Sequence, residues 1–136
     1  MRYMLDTDTL IYVLNARPQH EAVLERFDRE PRRNLVVSAI TLAELRFGVA
    51  KSRKREASRL AMQRVCDALN VVPFEETAAA RYGVTRAALE SAGTPIGPLD
   101  TLIVAHALSL RLTLVTGNLR EFSRVPGLRC ESWIPG

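Results

Sequence analysis

The chain has 136 residues, of which 47% are hydrophobic and 25% are charged. These proportions exclude a disordered chain, and the length excludes a scaffold that needs disulfides or metals to hold its core. The formal net charge is +4, and all but two of the 19 basic residues are arginines. Because an arginine side chain can bind two phosphate oxygens at once, this charge permits a nucleic-acid partner but does not demonstrate one.

The sequence also bears on the cellular compartment. The N-terminus has no signal-peptide pattern, and no apolar stretch approaches the roughly 18 residues that indicate a membrane span. Cys66 and Cys130 form no Cys-x-x-Cys motif, and the sequence leaves open whether they pair. We therefore expect no membrane association and a location in the reducing cytoplasm.

Short apolar runs alternate along the chain with longer segments of helical periodicity. The predicted strands are 3–5, 35–37, 70–74, 113–116 and an edge strand at 128–133. The predicted helices are one that ends near Asn15, followed by 19–30, 39–50, 56–69, 75–92 and 99–110, with one further turn within 117–124. This alternation predicts a single α/β domain over 1–136, with a mainly parallel sheet and right-handed crossovers. On helix 39–50 we expect Ile40, Ala43 and Phe47 to face the core.

The first strand ends on an acidic, hydroxyl-rich segment, Asp6-Thr7-Asp8-Thr9. One of these residues would suffice to cap the following helix. Two acids and two threonines exceed that need. Since ligands bind beyond the carboxyl ends of the strands in an open parallel sheet, Asp6 is the first candidate for a functional site.

Three other predicted junctions carry acidic or amide side chains. Glu44 lies on the helix after the second strand, Asp100 opens the helix after a Gly/Pro-rich loop, and Asn118 and Glu121 follow the fourth strand. Taken singly, Asp100 can equally complement a helix dipole, and Glu121 is more typical of a surface residue. Together they predict a cluster of carboxylates, which favours a bound Mg²⁺ or Mn²⁺ because no His or Cys belongs to it. His106 is interpreted as a hydrogen-bonded core histidine.

Four stretches, in this order and spacing, resemble the PIN-domain ribonucleases, and in particular the VapC toxins of bacterial toxin–antitoxin pairs. They are MLDTD (4–8), VSAITLAELRFG (37–48), GTPIGPLD with IVAHA (93–107) and LVTGNLREF (114–122), and Val125-Pro126-Gly127-Leu128 extends the match. The resemblance implies a doubly wound, mainly parallel sheet with helices on both faces. It also implies a Mg²⁺-dependent endoribonuclease, with Mn²⁺ as a possible substitute, that forms a homodimer and is blocked by a small antitoxin. The expected substrate is RNA, in particular a structured RNA such as tRNA.

The family's first three acids fall on Asp6, Glu44 and Asp100. Asp6 and Asp100 are the expected metal ligands, and Glu44 is expected to orient or deprotonate the attacking water. The resemblance leaves the accessory positions open. They are Asp8, where the family often has Asn, Thr116, which matches a hydroxyl position, Asn118, an amide at the fourth acidic position, and Glu121, which is its alternative.

Two other functions remain open at the level of the sequence. Asp6-Thr7-Asp8-Thr9 is similar to the Asp-x-Asp-x-Thr opening of haloacid-dehalogenase-type phosphatases, but that family needs a later lysine, and none follows Lys54. The amide at Asn118 favours a decayed PIN-like module that only binds RNA or protein. The three acids of the core set argue against such decay.

Overall fold

The computed structural model describes all 136 residues as a five-stranded sheet surrounded by helices. The strands are β1 (Tyr3–Leu5), β2 (Leu35–Ser38), β3 (Asn70–Val72), β4 (Thr113–Val115) and β5 (Cys130–Glu131). The α-helices are α1 (Thr7–Leu14), α2 (His20–Arg29), α3 (Ala39–Lys51), α4 (Arg55–Asp67), α5 (Glu76–Ser91), α6 (Pro98–Leu110) and α7 (Leu119–Phe122). A 3₁₀ turn at Arg32–Asn34 precedes β2. The predicted α/β class is confirmed.

The strand order is β3-β2-β1-β4-β5, and every pair is parallel. The chain therefore adds β2 and then β3 on one side of β1. It then crosses to the other side of β1 and adds β4 and β5 there. This reversal makes the gap between the carboxyl ends of β1 and β4 a topological switch point, where open α/β sheets bind ligands. Asp6 and Thr116 directly follow those two strands.

The sheet has a hydrophobic core on each face, because strand side chains alternate between faces. Tyr3 and Leu5 of β1 face the first core, which is shared with α1, α2, α3 and α4. Met4 faces the second core, which is shared with α5, α6 and α7. The doubly wound arrangement is thus confirmed. None of the helices combines the length and the apolar character needed to cross a membrane.

The core face predicted for α3 is confirmed for Ile40, which packs against the second core, but was wrong for Ala43 and Phe47. Phe47 is 65% exposed and Ala43 is exposed, whereas Thr41 and Leu45 are the buried positions of this helix. Apolar residues occur all around α3, so periodicity alone does not select the buried side. The edge strands β3 and β5 are shorter than predicted, and both cysteines are unpaired.

Candidate active site

Asp6 lies at the end of β1 and forms the N-cap of α1. Its Oδ1 accepts a hydrogen bond from the Thr9 amide at 2.8 Å, and its own amide donates to the Val115 carbonyl at 3.0 Å. The side chain is only 2% exposed. Burial raises the pKa of this carboxyl, while hydrogen bonds from Thr116 and Thr9 oppose the rise. Asp6 is therefore held rigidly at the switch point.

Hydroxyl groups from β4 and α1 support this position. Thr116 is fully buried, and its Oγ1 accepts a hydrogen bond from the Asn118 amide at 3.0 Å. Its hydroxyl also acts as a hydrogen-bond donor that lowers the pKa of Asp6. Thr9 donates its hydroxyl to the Val115 carbonyl at 3.2 Å. Thr116, which matches a hydroxyl position of the family, thus acts on the Asp6 carboxyl group.

Glu44 is brought to the site by α3 and fixed by α1. The Thr7 hydroxyl donates to Glu44 Oε1 at 2.7 Å and lies 3.2 Å from the Thr41 hydroxyl. Glu44 is half-buried, so one carboxylate oxygen is engaged while the group still borders solvent. The sequence predicted no contact for Thr7 or Thr41. A threonine's neighbours in the sequence do not indicate whether its hydroxyl reaches another helix.

Asp100 sits in the first turn of α6, after Pro98 at the helix start. Its pKa is raised to about 6. The main cause is burial, and the negative charges of the neighbouring carboxylates add to it; these belong, in order of effect, to Glu121, Asp8, Asp6 and Glu44. The other four acids predicted for the site therefore all act on the Asp100 carboxyl group, although the five come from the starts of three helices, α1, α6 and α7, and the interior of α3.

Asn118 holds Glu121 in this cluster. The Asn118 amide nitrogen donates to Glu121 Oε2 at 2.5 Å, and its Oδ1 accepts the Glu121 amide at 3.4 Å as the N-cap of α7. Glu121 is half-buried and exerts the largest charge effect on Asp100. Its role as an accessory acid of the site stays a prediction. Asn118, the amide at the family's fourth acidic position, thus holds the carboxylate of Glu121 one turn later.

The cluster carries negative charge that the protein does not neutralise. None of its five carboxylates takes part in a salt bridge, although the chain has 19 basic residues. A divalent cation is the natural counter-charge for such a set. No three acidic, His or Cys side chains converge to enclose an ion. This arrangement fits Mg²⁺, which is commonly bound by one or two carboxylates and keeps several waters.

Residues 3–128 match the family model described as "PIN domain". The chain belongs to the PIN-domain family. This PIN domain is 41% identical over 133 residues to the "tRNA(fMet)-specific endonuclease VapC" of Salmonella typhimurium, and the alignment covers 98% of each chain. It is 37% identical over 134 residues to "Ribonuclease VapC2" of Rickettsia felis, again with 98% of each covered.

Solved structures give the same assignment. The PIN domain superposes with a TM-score of 0.92 on DNA-bound VapBC from Salmonella typhimurium, at 40% identity and with 98% of each chain covered. For VapBC2 from Rickettsia felis bound to a promoter DNA fragment, the TM-score is 0.88 at 36% identity, covering 98% of this chain and 99% of that one. The PIN domain is a VapC-type ribonuclease, of a family that generally depends on a divalent metal ion. These matches support the ribonuclease reading and not the phosphatase or the decayed module.

Replacing Asn118 by Ala is expected to lower RNA cleavage by about 10-fold, the usual effect of removing a group that orients a metal-site carboxylate. The variant loses both hydrogen bonds to Glu121, and initial cleavage rates measure the effect. Asn118→Asp is the matched comparison, because it keeps the helix cap but replaces the donor to Glu121 by a second negative charge. Unchanged rates in both variants would show that Glu121 needs no support.

Proposed function

We propose that this PIN domain is a Mg²⁺-dependent endoribonuclease toxin that cuts a structured RNA such as a tRNA and is neutralised by a cognate antitoxin. The observation that carries the proposal is the set of five carboxylates near the switch point, of which four raise the pKa of the fifth, Asp100, and none has a basic partner. A protein that only binds RNA has no use for such a charge, because it repels the phosphate backbone.

Asp6 and Asp100 are the proposed metal ligands. Asp6 follows β1 and Asp100 lies in the first turn of α6, and neither carboxylate forms a salt bridge with a basic side chain. When bound, Mg²⁺ screens the anionic phosphodiester, lowers the pKa of water and stabilises the leaving oxygen. Mn²⁺ accepts the same oxygen ligands and is the proposed substitute.

Glu44 is the proposed general base. Its Oε1 accepts the Thr7 hydroxyl, which orients the carboxylate and leaves Oε2 to take a proton from the attacking water. Asp8 and Glu121 are proposed as accessory acids that add negative charge at the rim, and Asn118 holds Glu121 there. Thr116 is proposed to orient Asp6.

The proposed substrate follows from the charge distribution and from the relatives. Arginines outside the crevice offer salt-sensitive contacts to an RNA backbone. Because a compact crevice reaches an unpaired loop more easily than the inside of a duplex, a structured RNA with an exposed loop fits best. The Salmonella typhimurium relative is named for tRNA(fMet), and we propose a tRNA as the target of this chain as well. A tRNA target places the enzyme in the cytoplasm.

The proposed antitoxin surface is a groove of about 540 Å³ between α1, α3 and α4. Glu44 lines the groove, so a polypeptide seated in it also covers the acidic crevice. Large apolar side chains stand exposed on the three helices that form it; these are Ile11, Phe47 and Leu60, at 38%, 65% and 45% exposure. Exposed apolar area of this kind marks a protein interface, and an antitoxin is the partner of the VapBC relatives.

The proposed function is tested by incubating the purified protein with total bacterial RNA, with Mg²⁺ or with EDTA, and mapping the new RNA ends. We expect a few discrete ends with Mg²⁺ and none with EDTA, and cleavage should return when Mg²⁺ is restored. Expression of the chain alone is expected to arrest bacterial growth. Release of phosphate from a small ester without new RNA ends would revive the phosphatase reading, and ends that form equally in EDTA would exclude a metal-dependent site.

The Phe47→Glu variant is expected to stay toxic but to escape its antitoxin. The change places a charge on the exposed side of α3, next to Gly48 of the groove lining, and leaves the acidic residues unchanged. Growth is measured with and without the co-expressed cognate antitoxin. Val84→Glu on α5 is the matched control, because Val84 is 69% exposed but α5 packs on the opposite face of the sheet. If the antitoxin neutralises the Phe47 variant as well as the control, the groove is not its docking surface.

A homodimer is also proposed, as the family resemblance implies. One chain has a mass of 15.2 kDa, so light scattering should give twice that value for the antitoxin-free protein. A mass equal to one chain across the micromolar range would exclude the dimer.

A further inference from the structure

The helix that carries Asp100 has only one side chain that hydrogen-bonds to another part of the fold. Thr101 and Ser109 of α6 bond only to nearby backbone carbonyls of their own segment. His106 is the exception, since its Nδ1 lies 2.8 Å from the Ser38 hydroxyl at the junction of β2 and α3. The polar link between the Asp100 helix and the Glu44 helix therefore consists of one pair of side chains.

Both partners of this pair are buried. His106 is 1% exposed and Ser38 is fully buried. Ser38 also forms the N-cap of α3, because its Oγ accepts the Ile40 amide at 3.1 Å. The imidazole also packs in a T-shaped arrangement with the Phe74 ring, at 5.3 Å between centroids, and the Pro73 backbone acts on it as a hydrogen-bond partner.

These contacts fix the proton positions. A carbonyl only accepts, so the ring nitrogen that faces Pro73 carries the proton, and Nδ1 accepts the Ser38 hydroxyl hydrogen. The Ser38 oxygen keeps its lone pair for the Ile40 amide. Burial lowers the pKa of His106, which favours the neutral ring that these hydrogen bonds need. The negative charge of Glu75 raises the same pKa and so opposes the effect of burial.

The apolar contacts of α6 cannot replace this bond. Hydrophobic packing against the second core is non-directional and permits small shifts of a helix along its axis. A buried hydrogen bond of defined geometry does not permit them. Since α6 carries Asp100 and the helix capped by Ser38 carries Glu44, a shift of one helix changes the separation of the two acids.

We propose that His106 and Ser38 are positioning residues that hold the helix carrying Asp100 in place relative to Asp6 and Glu44, and thereby set the affinity of the site for its metal ion and its rate of cleavage. The proposal rests on the proposed function, because it takes the acidic crevice as a Mg²⁺ site. It goes beyond that function by assigning a catalytic consequence to a core histidine that touches neither the metal ligands nor the crevice.

Two isosteric replacements of His106 separate its two hydrogen bonds. An Asn side chain places its amide oxygen near the position of Nδ1 and keeps the Ser38 partner, whereas Gln places its amide nitrogen near Nε2 and keeps only the Pro73 partner. We expect the Gln variant to bind Mg²⁺ about 10-fold more weakly by calorimetry and to cleave RNA about 10- to 100-fold more slowly, the range for groups that orient metal ligands. The Asn variant should stay close to wild type in both measurements. Ser109→Ala on the same helix is the control and should change neither.

Equal Mg²⁺ affinity in the wild-type and Gln proteins would overturn the inference, and so would equal losses in the Asn and Gln variants. Should the Gln variant not fold, Ser38→Ala removes the same hydrogen bond from the other side and is expected to weaken Mg²⁺ binding to a similar extent. Normal binding by Ser38→Ala would also overturn it. A wild-type chain that binds no Mg²⁺ would overturn the proposed function itself, which keeps the two failures distinct.

Discussion

The Asp6→Asn variant is expected to lose RNA cleavage by about 10³-fold while the fold remains at least as stable as wild type. The amide oxygen of Asn still accepts the Thr9 amide, so the cap of α1 survives. The negative charge is lost, and with it the attraction for the metal ion. Because burial raises the pKa of Asp6, its charge costs stability in the metal-free protein, and removing it carries no stability penalty.

Asp6→Ala and Asp28→Asn complete this experiment. The Ala variant should also lose cleavage, but it loses the helix cap and is expected to be about 1 kcal/mol less stable in urea unfolding. Asp28 lies exposed on α2 and forms no salt bridge, so its amide variant should cleave RNA normally. Retained cleavage in Asp6→Asn would remove Asp6 from the catalytic site.

The Asp100→Asn variant is expected to lose Mg²⁺ binding and cleavage and, in EDTA, to gain stability at alkaline pH. The pKa of Asp100 is about 6 in the folded chain, above its ordinary value of 3.8, so folding favours the protonated carboxyl. The protonated Asp100 carboxyl therefore adds to the free energy of unfolding. This addition is complete below about pH 4 and is lost as the pH rises through 6. Asn carries no charge at any pH, so the variant does not lose this stability. At alkaline pH its free energy of unfolding should exceed that of the wild type by about 1–2 kcal/mol, after allowance for solvent screening.

Urea unfolding in EDTA at pH 5 and pH 8 measures this effect. The advantage of the Asn variant should be small at pH 5 and fully developed at pH 8. Addition of Mg²⁺ should stabilise the wild type and leave the Asn variant unchanged, because only the wild type binds the ion. A variant that is less stable than wild type at pH 8 in EDTA would show that Asp100 makes a stabilising contact as an ion, contrary to the raised pKa.

The α/β architecture and the order of the acids along the chain follow from local properties of the sequence and from the family resemblance. Short β-branched runs and helical periodicity are local properties, and Pro98 and the Gly/Pro-rich loop before it mark a helix start independently of the rest of the fold. The parallel order then requires that residues after β1 and β4 meet at one edge of the sheet. Asp6 was predicted in this way. Glu44 and Asp100 were predicted from the acids at other helix junctions and from the family resemblance, and in the structure the charges of Asp6 and Glu44 both act on Asp100.

Only the tertiary structure decided which way several side chains face. Glu121 joins the acidic cluster because Asn118 caps α7 and hydrogen-bonds the Glu121 carboxylate. No sequence pattern predicts this contact between two polar residues. Phe47 was predicted in the core but is exposed, because the packing of α3 against α1 and α4 buries Leu45 instead. Periodicity gives the spacing of a helical face but not its direction, and the direction is fixed by the neighbours that the folded chain supplies.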